Sequence, residues 1–180
     1  MRTDGSQCSP PPGAPLTGTN MPYLIDGHNL IGRHPGLSLA DPDDERELLK
    51  LLADYARRSR RKLVVFFDRG QTGSRPQRHG SLEVHFVPSA RTADDALLDY
   101  LRRLPDPRNW RVVTSDRRVA AQARQNGAVV TSADEFLRSM RAVSPPPARA
   151  GQDGQDSART SEADDIEEWL RAFERRRPEE

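Results

Sequence analysis

Short apolar runs alternate with amphipathic segments along the middle of the chain, and this alternation limits the possible folds more than any other feature. The apolar runs cover residues 23–25, 63–67, 82–87, 110–114 and 128–130. The segments of helical period cover residues 43–58, 92–104, 117–126 and 132–140. Because strands that alternate with helices build parallel sheets with helices on both faces, the sequence predicts an α/β fold with a mostly parallel sheet of about five strands.

Composition separates a folded unit from its flanks. Pro and Gly are denser before Met21 and after Ala142, where they make up 13 of 58 residues, than between these points, where they make up 14 of 122. We therefore predict a disordered N-terminal arm over 1–20, a globular domain over 21–142 and a flexible linker over 143–163. Met21 lies just before the first apolar run, so the preceding segment is either a disordered arm or the result of a start codon placed too far upstream.

The C-terminal region regains an amphipathic pattern. Four apolar residues recur at i, i+3, i+4 and i+7, namely Ile166, Trp169, Leu170 and Phe173. This spacing predicts a short amphipathic helix over 164–177. Such a helix docks either on its own domain or on the surface of a partner.

The single cysteine, Cys8, excludes a disulfide or a cysteine-based zinc site within the chain. The first twenty residues hold no apolar stretch of signal-peptide length, and no segment approaches a membrane span. We therefore expect a cytoplasmic protein without membrane contact.

Charge is distributed unevenly between the domain and its flanks. The whole chain has a formal net charge of +1, whereas residues 21–142 contain 21 Lys and Arg against 16 Asp and Glu, a balance of +5. A basic domain favours a polyanionic partner such as nucleic acid. Many soluble domains carry the same charge without such a partner, so charge alone leaves both interpretations open.

Five aspartates lie where a parallel sheet gathers its ligands. Asp26, Asp68 and Asp116 follow apolar runs, and Asp94 and Asp95 begin the second long amphipathic segment. The carboxyl ends of parallel strands converge at one edge. Each acid alone is also explained as a helix cap or by the helix dipole. Together they would repel one another unless a cation or a proton intervened.

A hard divalent cation is the natural partner of such a cluster. Mg²⁺ prefers oxygen ligands, and a bound cation can polarise a phosphate and activate water for attack. The four histidines are scattered, which disfavours zinc, and no phosphate-binding loop or dinucleotide fingerprint is present. The sequence therefore predicts Mg²⁺ or Mn²⁺ at the acidic edge.

Four motifs carry a resemblance to a known family. They are YLIDGHNLI (23–31), VVFFDRG (64–70), TADDALLDYL (92–101) and VVTSDRRVAAQA (112–123). In order and spacing they resemble the YacP-like branch of the NYN domains, which belong to the PIN-like ribonucleases. The resemblance covers about residues 22–141 and implies a Rossmann-like, three-layer PIN fold and metal-dependent hydrolysis of RNA phosphodiesters.

The resemblance also implies roles for individual residues. Asp26 matches the first metal-binding acid, Asn29 the polar residue of the DGxN turn, and Asp116 the acid after the Thr-Ser pair. Asp94 and Asp95 match the central acid pair, of which one or both bind metal directly. Asp68 is a conditional member, because it can brace a loop instead of touching metal.

Other polar residues near this edge are candidates for RNA binding. Phosphate or base contacts are expected from His28, Arg69, Arg75, Arg78, Arg91, Ser115 and Arg117. A solvated surface position is an equally good explanation for each arginine.

These inferences favour an endoribonuclease that cuts single-stranded RNA. The resemblance adds mRNA on ribosomes as one candidate substrate, and the C-terminal helix is a candidate contact for a protein or the ribosome. The chief alternative is a non-catalytic RNA- or ribosome-binding module with the same fold, against which the complete set of acids argues. A toxin-type PIN nuclease fits the DGHN turn and the C-terminal helix poorly. The sequence leaves the oligomeric state, the number of metals and the cleavage specificity open.

Overall fold

The computed structural model describes residues 21–38, 43–70, 75–88, 90–143 and 166–171, with residues 69 and 70 described in their backbone only. The predicted N-terminal arm and nearly all of the predicted linker lie outside these residues, so those two predictions stay untested.

One sheet of six strands organises the described residues. Its strands are β1 (Tyr23–Asp26), β2 (Leu63–Gly70), β3 (Gln77–His79), β4 (Leu82–Pro88), β5 (Arg111–Val113) and β6 (Val129–Thr131). They lie in the order β3-β4-β2-β1-β5-β6. All neighbours pair in parallel except β3 and β4. The predicted α/β fold with a mostly parallel sheet is confirmed.

The third strand, β3, lies in the basic stretch 69–80, which contains no apolar run and in which the sequence predicts a mobile loop and no strand. Gln77 pairs with Val84, and His79 pairs with Leu82, in an antiparallel hairpin. β3 is an edge strand, and its side chains are only partly buried. Backbone pairing with β4 holds it in place, so its sequence needs no alternating apolar residues. The sheet therefore has one strand more than apolar patterning indicates.

Helices cover the sheet at the predicted places. They are α1 (Gly27–Ile31), α2 (Asp44–Ser59), α3 (Ala93–Arg103), α4 (Arg117–Gln125) and α5 (Ala133–Val143), with a 3₁₀ turn over Pro107–Asn109. The four longer helices end within three residues of their predicted limits. The sequence did not predict α1, whose five residues are too short for a helical period. Within the described residues, no helix is both long and apolar enough to cross a membrane.

The central strand shows how the two faces of the sheet are filled. Tyr23 and Ile25 of β1 belong to a buried cluster that includes Leu52 of α2 and Phe136 of α5. Leu24, between them, belongs to a second cluster formed with α3 and α4. Successive side chains of a strand point to opposite faces, so β1 is buried on both sides. Helices on both faces of the sheet are thereby confirmed.

The C-terminal segment over 166–171 is helical and packs on the domain. Leu170 is completely buried in the cluster that contains α2. The Glu167 carboxylate lies 2.5 Å from Arg46 Nη2 and 2.7 Å from Lys50 Nζ, both on α2. This part of the predicted amphipathic helix therefore docks on its own domain.

A ring contact extends the docking site of this segment to the edge of the sheet. The ring centroids of Trp169 and His79 lie 5.5 Å apart. His79 ends β3, the strand that the sequence did not predict. The segment thus contacts both α2 and the edge hairpin.

Replacing Leu170 with Ala tests this docking. We expect Leu170→Ala to lower the free energy of unfolding by about 2–4 kcal/mol, because a fully buried leucine loses its packing. Urea denaturation of the full chain measures the effect, with the exposed neighbour Arg171→Ala as the matched control, expected to change stability by less than about 0.5 kcal/mol. Equal stability of the two variants would show that the segment does not pack on the domain.

Candidate functional site

Strand order brings the predicted acids to one edge of the sheet. β1 pairs in parallel with both β2 and β5, so the carboxyl ends of these strands meet. Asp26 ends β1, Asp68 lies near the end of β2, and Asp116 follows β5 as the N-cap of α4. Helix α3, which contacts β1 and β2, begins with Asp94 and Asp95. All five acids therefore lie at the carboxyl edge of the sheet.

Asp26 is the most buried member of this acidic site, with 8% of its surface exposed. Its Oδ1 accepts a hydrogen bond from the backbone N–H of Asn29 at 3.1 Å and thereby caps α1. Burial raises the pKa of Asp26 to about 7, and the negative charges of Asp94 and Asp68 add to this effect. Removing water disfavours the charged form of a carboxyl group, so a proton or a cation is needed to stabilise Asp26 here.

Asp94 is the immediate partner of Asp26. The charge of Asp94 raises the pKa of Asp26. Burial raises the pKa of Asp94, and the charge of Asp116 raises it further. Arg118 opposes this shift, and a hydrogen bond with Asp26 also lowers the pKa of Asp94. Two carboxyl groups in contact cannot both ionise cheaply without a cation between or beside them.

Two of the remaining acids, Asp116 and Asp68, also hold the starts of helices. Asp116 Oδ1 accepts hydrogen bonds from the backbone N–H groups of Arg118 at 2.7 Å and Val119 at 3.0 Å. Asp68 Oδ1 accepts one from Ala93 N–H at 2.5 Å, which ties the end of β2 to the start of α3. Asp68 therefore positions the helix that carries the central acid pair.

The oxygen-rich donor set fits a hard cation better than zinc. Across the residues that the structure describes, no group of three or more His, Cys, Asp or Glu side chains forms a ready-made metal cage. Mg²⁺ needs no such cage, since it is typically held by one or two carboxylates, water and substrate oxygens. Asp26 and Asp94 supply adjacent carboxyl groups whose mutual repulsion a cation would relieve.

Asn29 connects the two loops that carry Asp26 and Asp116. Its Oδ1 accepts a hydrogen bond from the backbone N–H of Ser115 at 2.9 Å. Ser115 Oγ in turn accepts one from Ala133 N–H at 3.3 Å, at the start of α5. Asn29 and Ser115 therefore set the spacing between β1, β5 and α5.

Gly27 is required by close packing beneath the site. A Cβ atom at this position would lie 2.3 Å from Cε1 of Phe67, whose ring is fully buried. Any side chain here would displace the ring or the backbone that carries Asp26 and His28. The glycine of the DGHN turn is thus explained by packing.

His28 lies half-buried between two carboxylates. Its Nε2 is 3.1 Å from Glu45 Oε1, and its Nδ1 is 3.6 Å from Asp68 Oδ2. The hydrogen bond to Glu45 raises the pKa of His28, and the charges of Asp68 and Asp26 raise it further. The ring also meets Phe67 edge-on, with 5.4 Å between centroids. His28 therefore links α1, α2 and the end of β2 beside the acidic site.

Comparisons with known proteins agree with this geometry. The family model described as the YacP-like NYN domain matches residues 23–177. The chain belongs to the YacP-like NYN domain family. The predicted membership is confirmed, and it places the chain among the PIN-like nucleases.

Two solved structures are similar to this NYN domain. One is a crystal structure of a tryptophan-to-leucine variant of Rae1 (YacP) from Bacillus subtilis, with 26% identity, a TM-score of 0.55, and coverage of 67% of this chain and 75% of that chain. The other is a crystal structure of Rae1 (YacP) from Bacillus subtilis, with 24% identity, a TM-score of 0.53, and coverage of 85% and 92%. A comparison with curated proteins gave no match.

The arginines predicted to bind RNA in this NYN domain have different surroundings. Arg75 and Arg117 are exposed, whereas the side chain of Arg69 lies outside the described residues. Arg91 donates to the Asp95 carbonyl at 3.0 Å and pairs with Asp99. The structure does not bring Arg78 to the acidic site.

Arg78 instead belongs to the opposite end of β4. Its Nε lies 3.3 Å from Oε2 of the buried Glu83, the second residue of that strand. The acidic edge lies at the other end of the strand, roughly 15 Å further along. Arg78 therefore stabilises the edge hairpin.

Sequence reasoning missed Arg118, the cation that contacts the central acid pair. Its guanidinium lies 3.4 Å from Asp94 Oδ2 and 3.8 Å from Asp95 Oδ1. Arg117 and Arg118 are adjacent in the first turn of α4, and both lie off its apolar face. Arg118 contacts the acids because α3 lies beside α4 on that side of the helix. Apolar patterning does not predict which helices are neighbours, so it cannot distinguish Arg118 from Arg117.

The raised pKa of Asp26 predicts a pH dependence of stability in metal-free buffer. The folded state holds the proton up to about pH 7, whereas the ordinary value for Asp is 3.8. The stabilising contribution of this proton is present below about pH 4 and is lost as the pH rises through 7. Asp26→Asn retains the Oδ1 cap without the charge, so we expect its stability relative to wild type to rise by about 2–4 kcal/mol between pH 5 and pH 8.

Denaturant titrations in EDTA at both pH values measure this difference. Asp134→Asn, which changes an exposed carboxylate on α5, is the matched control and should follow wild type. A constant difference between Asp26→Asn and wild type at the two pH values would contradict the burial of a protonated Asp26.

Proposed function

We propose that this NYN domain is a Mg²⁺- or Mn²⁺-dependent endoribonuclease that hydrolyses single-stranded RNA in the cytoplasm. One observation carries the proposal. Asp26 and Asp94 place two partly buried, mutually repelling carboxyl groups side by side at the carboxyl edge of a PIN-like sheet. This arrangement costs folding energy without a cation, and it suits a site whose task is to bind one.

Asp26 and Asp94 are the residues that would hold the cation directly, with Asp116 and Asp95 placed to act through water. A divalent cation in such a site supplies an activated water and polarises the scissile phosphate. Asp26 must give up its proton for the cation to bind, so binding should strengthen as the pH rises through about 7. Cleavage should follow the same trend.

The surroundings of the acids provide positioning and substrate contacts. The capping bonds of Asp116 and Asp68 and the bond between Asn29 and Ser115 hold the acids without the substrate. Exposed Arg75 and Arg117 are available to phosphates of a bound strand. A flexible single strand can bend to present a phosphate to a site at the sheet edge, whereas a rigid duplex cannot do so as easily.

Membership of the YacP-like family supports an RNA substrate, and mRNA on ribosomes is one candidate among single-stranded RNAs. The C-terminal segment over 166–171 uses its apolar side on its own domain. Its opposite side is therefore the part that could contact a protein or the ribosome.

The alternative is a non-catalytic RNA- or ribosome-binding module. The acids argue against it, since a binding module has no need to keep a buried Asp26 beside a second, partly buried carboxyl group. The two functions differ in whether RNA is cut.

Cleavage of a labelled single-stranded RNA by the purified full chain tests the proposal. We expect internal cleavage in Mg²⁺ or Mn²⁺, none in EDTA, and a loss of more than about 100-fold in rate for Asp94→Asn/Asp95→Asn. Changes to groups outside the ligand shell of a metal site already cost 10- to 100-fold. Asp134→Asn, on the exposed side of α5, is the control and should cleave as wild type does.

Cleavage that persists in EDTA or in the double variant would contradict the metal-carboxylate mechanism. Tight RNA binding by wild type without any cleavage would favour the binding module.

A further inference from the structure

Arg118 is held in place by one of the acids and reaches across to two others. Its backbone N–H donates to the capping carboxylate of Asp116 at 2.7 Å, in the first turn of α4. Its side chain spans the gap to α3, where it lies 3.4 Å from Asp94 and 3.8 Å from Asp95. One guanidinium therefore partly neutralises both members of the central acid pair.

This contact is of a kind that a metal ion can displace. The Arg118 side chain is 56% exposed, and those of Asp94 and Asp95 are 24% and 52% exposed. Ion pairs at such exposed positions are weak, since water competes for both partners. A divalent cation seeks the same carboxylate oxygens with twice the charge, so it and the guanidinium compete for Asp94.

A second arginine, Arg102, also connects α3 and α4 but does so away from the acids. Arg102 of α3 donates to Asp99 at 2.6 Å and to Gln122 of α4 at 3.3 Å. It lies eight residues along α3 from Asp94, which is roughly 12 Å along a helix. Arg102 joins the two helices away from the site, whereas Arg118 joins them at the acids.

We propose that Arg118 occupies the acid pair until a divalent cation displaces it, and that the released guanidinium then binds a phosphate of the RNA beside the scissile bond. This inference rests on the proposed nuclease function and gives the site a built-in coupling between metal and RNA. The backbone of Arg118 stays fixed two residues after Asp116, so the displaced side chain remains at the same edge. The planar fork of arginine suits the oxygens of a phosphate as well as those of a carboxylate.

Direct binding of Mn²⁺ to the full chain without RNA tests the first half of the proposal. Calorimetry at pH 8 and low salt should give Arg118→Gln an affinity about 3- to 10-fold higher than that of wild type, because the competing cation is gone. Arg118→Lys keeps the charge and should stay within about 2-fold of wild type. Arg102→Gln removes the same charge away from the acids and is the matched control, expected to leave the Mn²⁺ affinity unchanged. Unchanged or weaker Mn²⁺ binding by Arg118→Gln would overturn the proposal.

RNA affinity tests the second half. Fluorescence anisotropy with a short single-stranded RNA, in Ca²⁺ to slow cleavage, should show weaker binding by Arg118→Gln and a salt dependence reduced by about one phosphate contact. Unchanged RNA affinity beside tighter Mn²⁺ binding would overturn the phosphate-binding role.

These outcomes are separable from the fate of the proposed function. Mn²⁺ and RNA binding as expected, without any cleavage by wild type, would leave the coupling intact and remove the nuclease activity. Cleavage by wild type, with no effect of Arg118→Gln on Mn²⁺ affinity, would support the nuclease activity and contradict the role of Arg118.

Discussion

The repulsion between the ionised forms of the buried Asp26 and the partly buried Asp94 is the constraint on which the rest of the site depends. Asp26 ends the central strand of the sheet, and Asp94 begins a helix on one of its faces, so the fold itself forces them together. Burial raises the pKa of Asp26 to about 7. Chains that fold only for stability avoid such pairs, because replacing one acid with a neutral residue would relieve the strain. Their presence at the carboxyl edge is therefore an argument for function.

A set of backbone hydrogen bonds keeps the acids together despite this repulsion. Asp116 caps α4, Asp68 accepts a bond from the first residue of α3, and Asn29 bonds to the loop before Asp116. The capping bonds of Asp116 both use Oδ1, so Oδ2 takes part in neither. Capping and ligand binding are thus compatible in one carboxylate, and the two explanations that the sequence offered for these acids do not exclude each other.

The sequence alone predicts the parallel sheet, the four long helices and the convergence of the acids, because continuous apolar runs and helical periods report burial directly. It misses β3, where Gln77 and His79 are held by backbone pairing and by contact with a distant tryptophan. It misses α1, whose five residues depend on the Asp26 cap. The role of Arg118 cannot be predicted from the sequence for a third reason, since it depends on which helix lies beside α4. Local patterns encode burial, whereas contacts between side chains of different elements require the assembled fold.

The position of a bound metal tests the central claim most directly. Crystals of the full chain grown with Mn²⁺ and measured for anomalous scattering would locate the ion without any assay of activity. The account predicts a Mn²⁺ peak between Asp26 and Asp94, about 2.0–2.3 Å from an oxygen of each carboxylate, with the Arg118 guanidinium moved away from Asp94. A map with no peak at this pair, or with the ion bound only elsewhere, would contradict it.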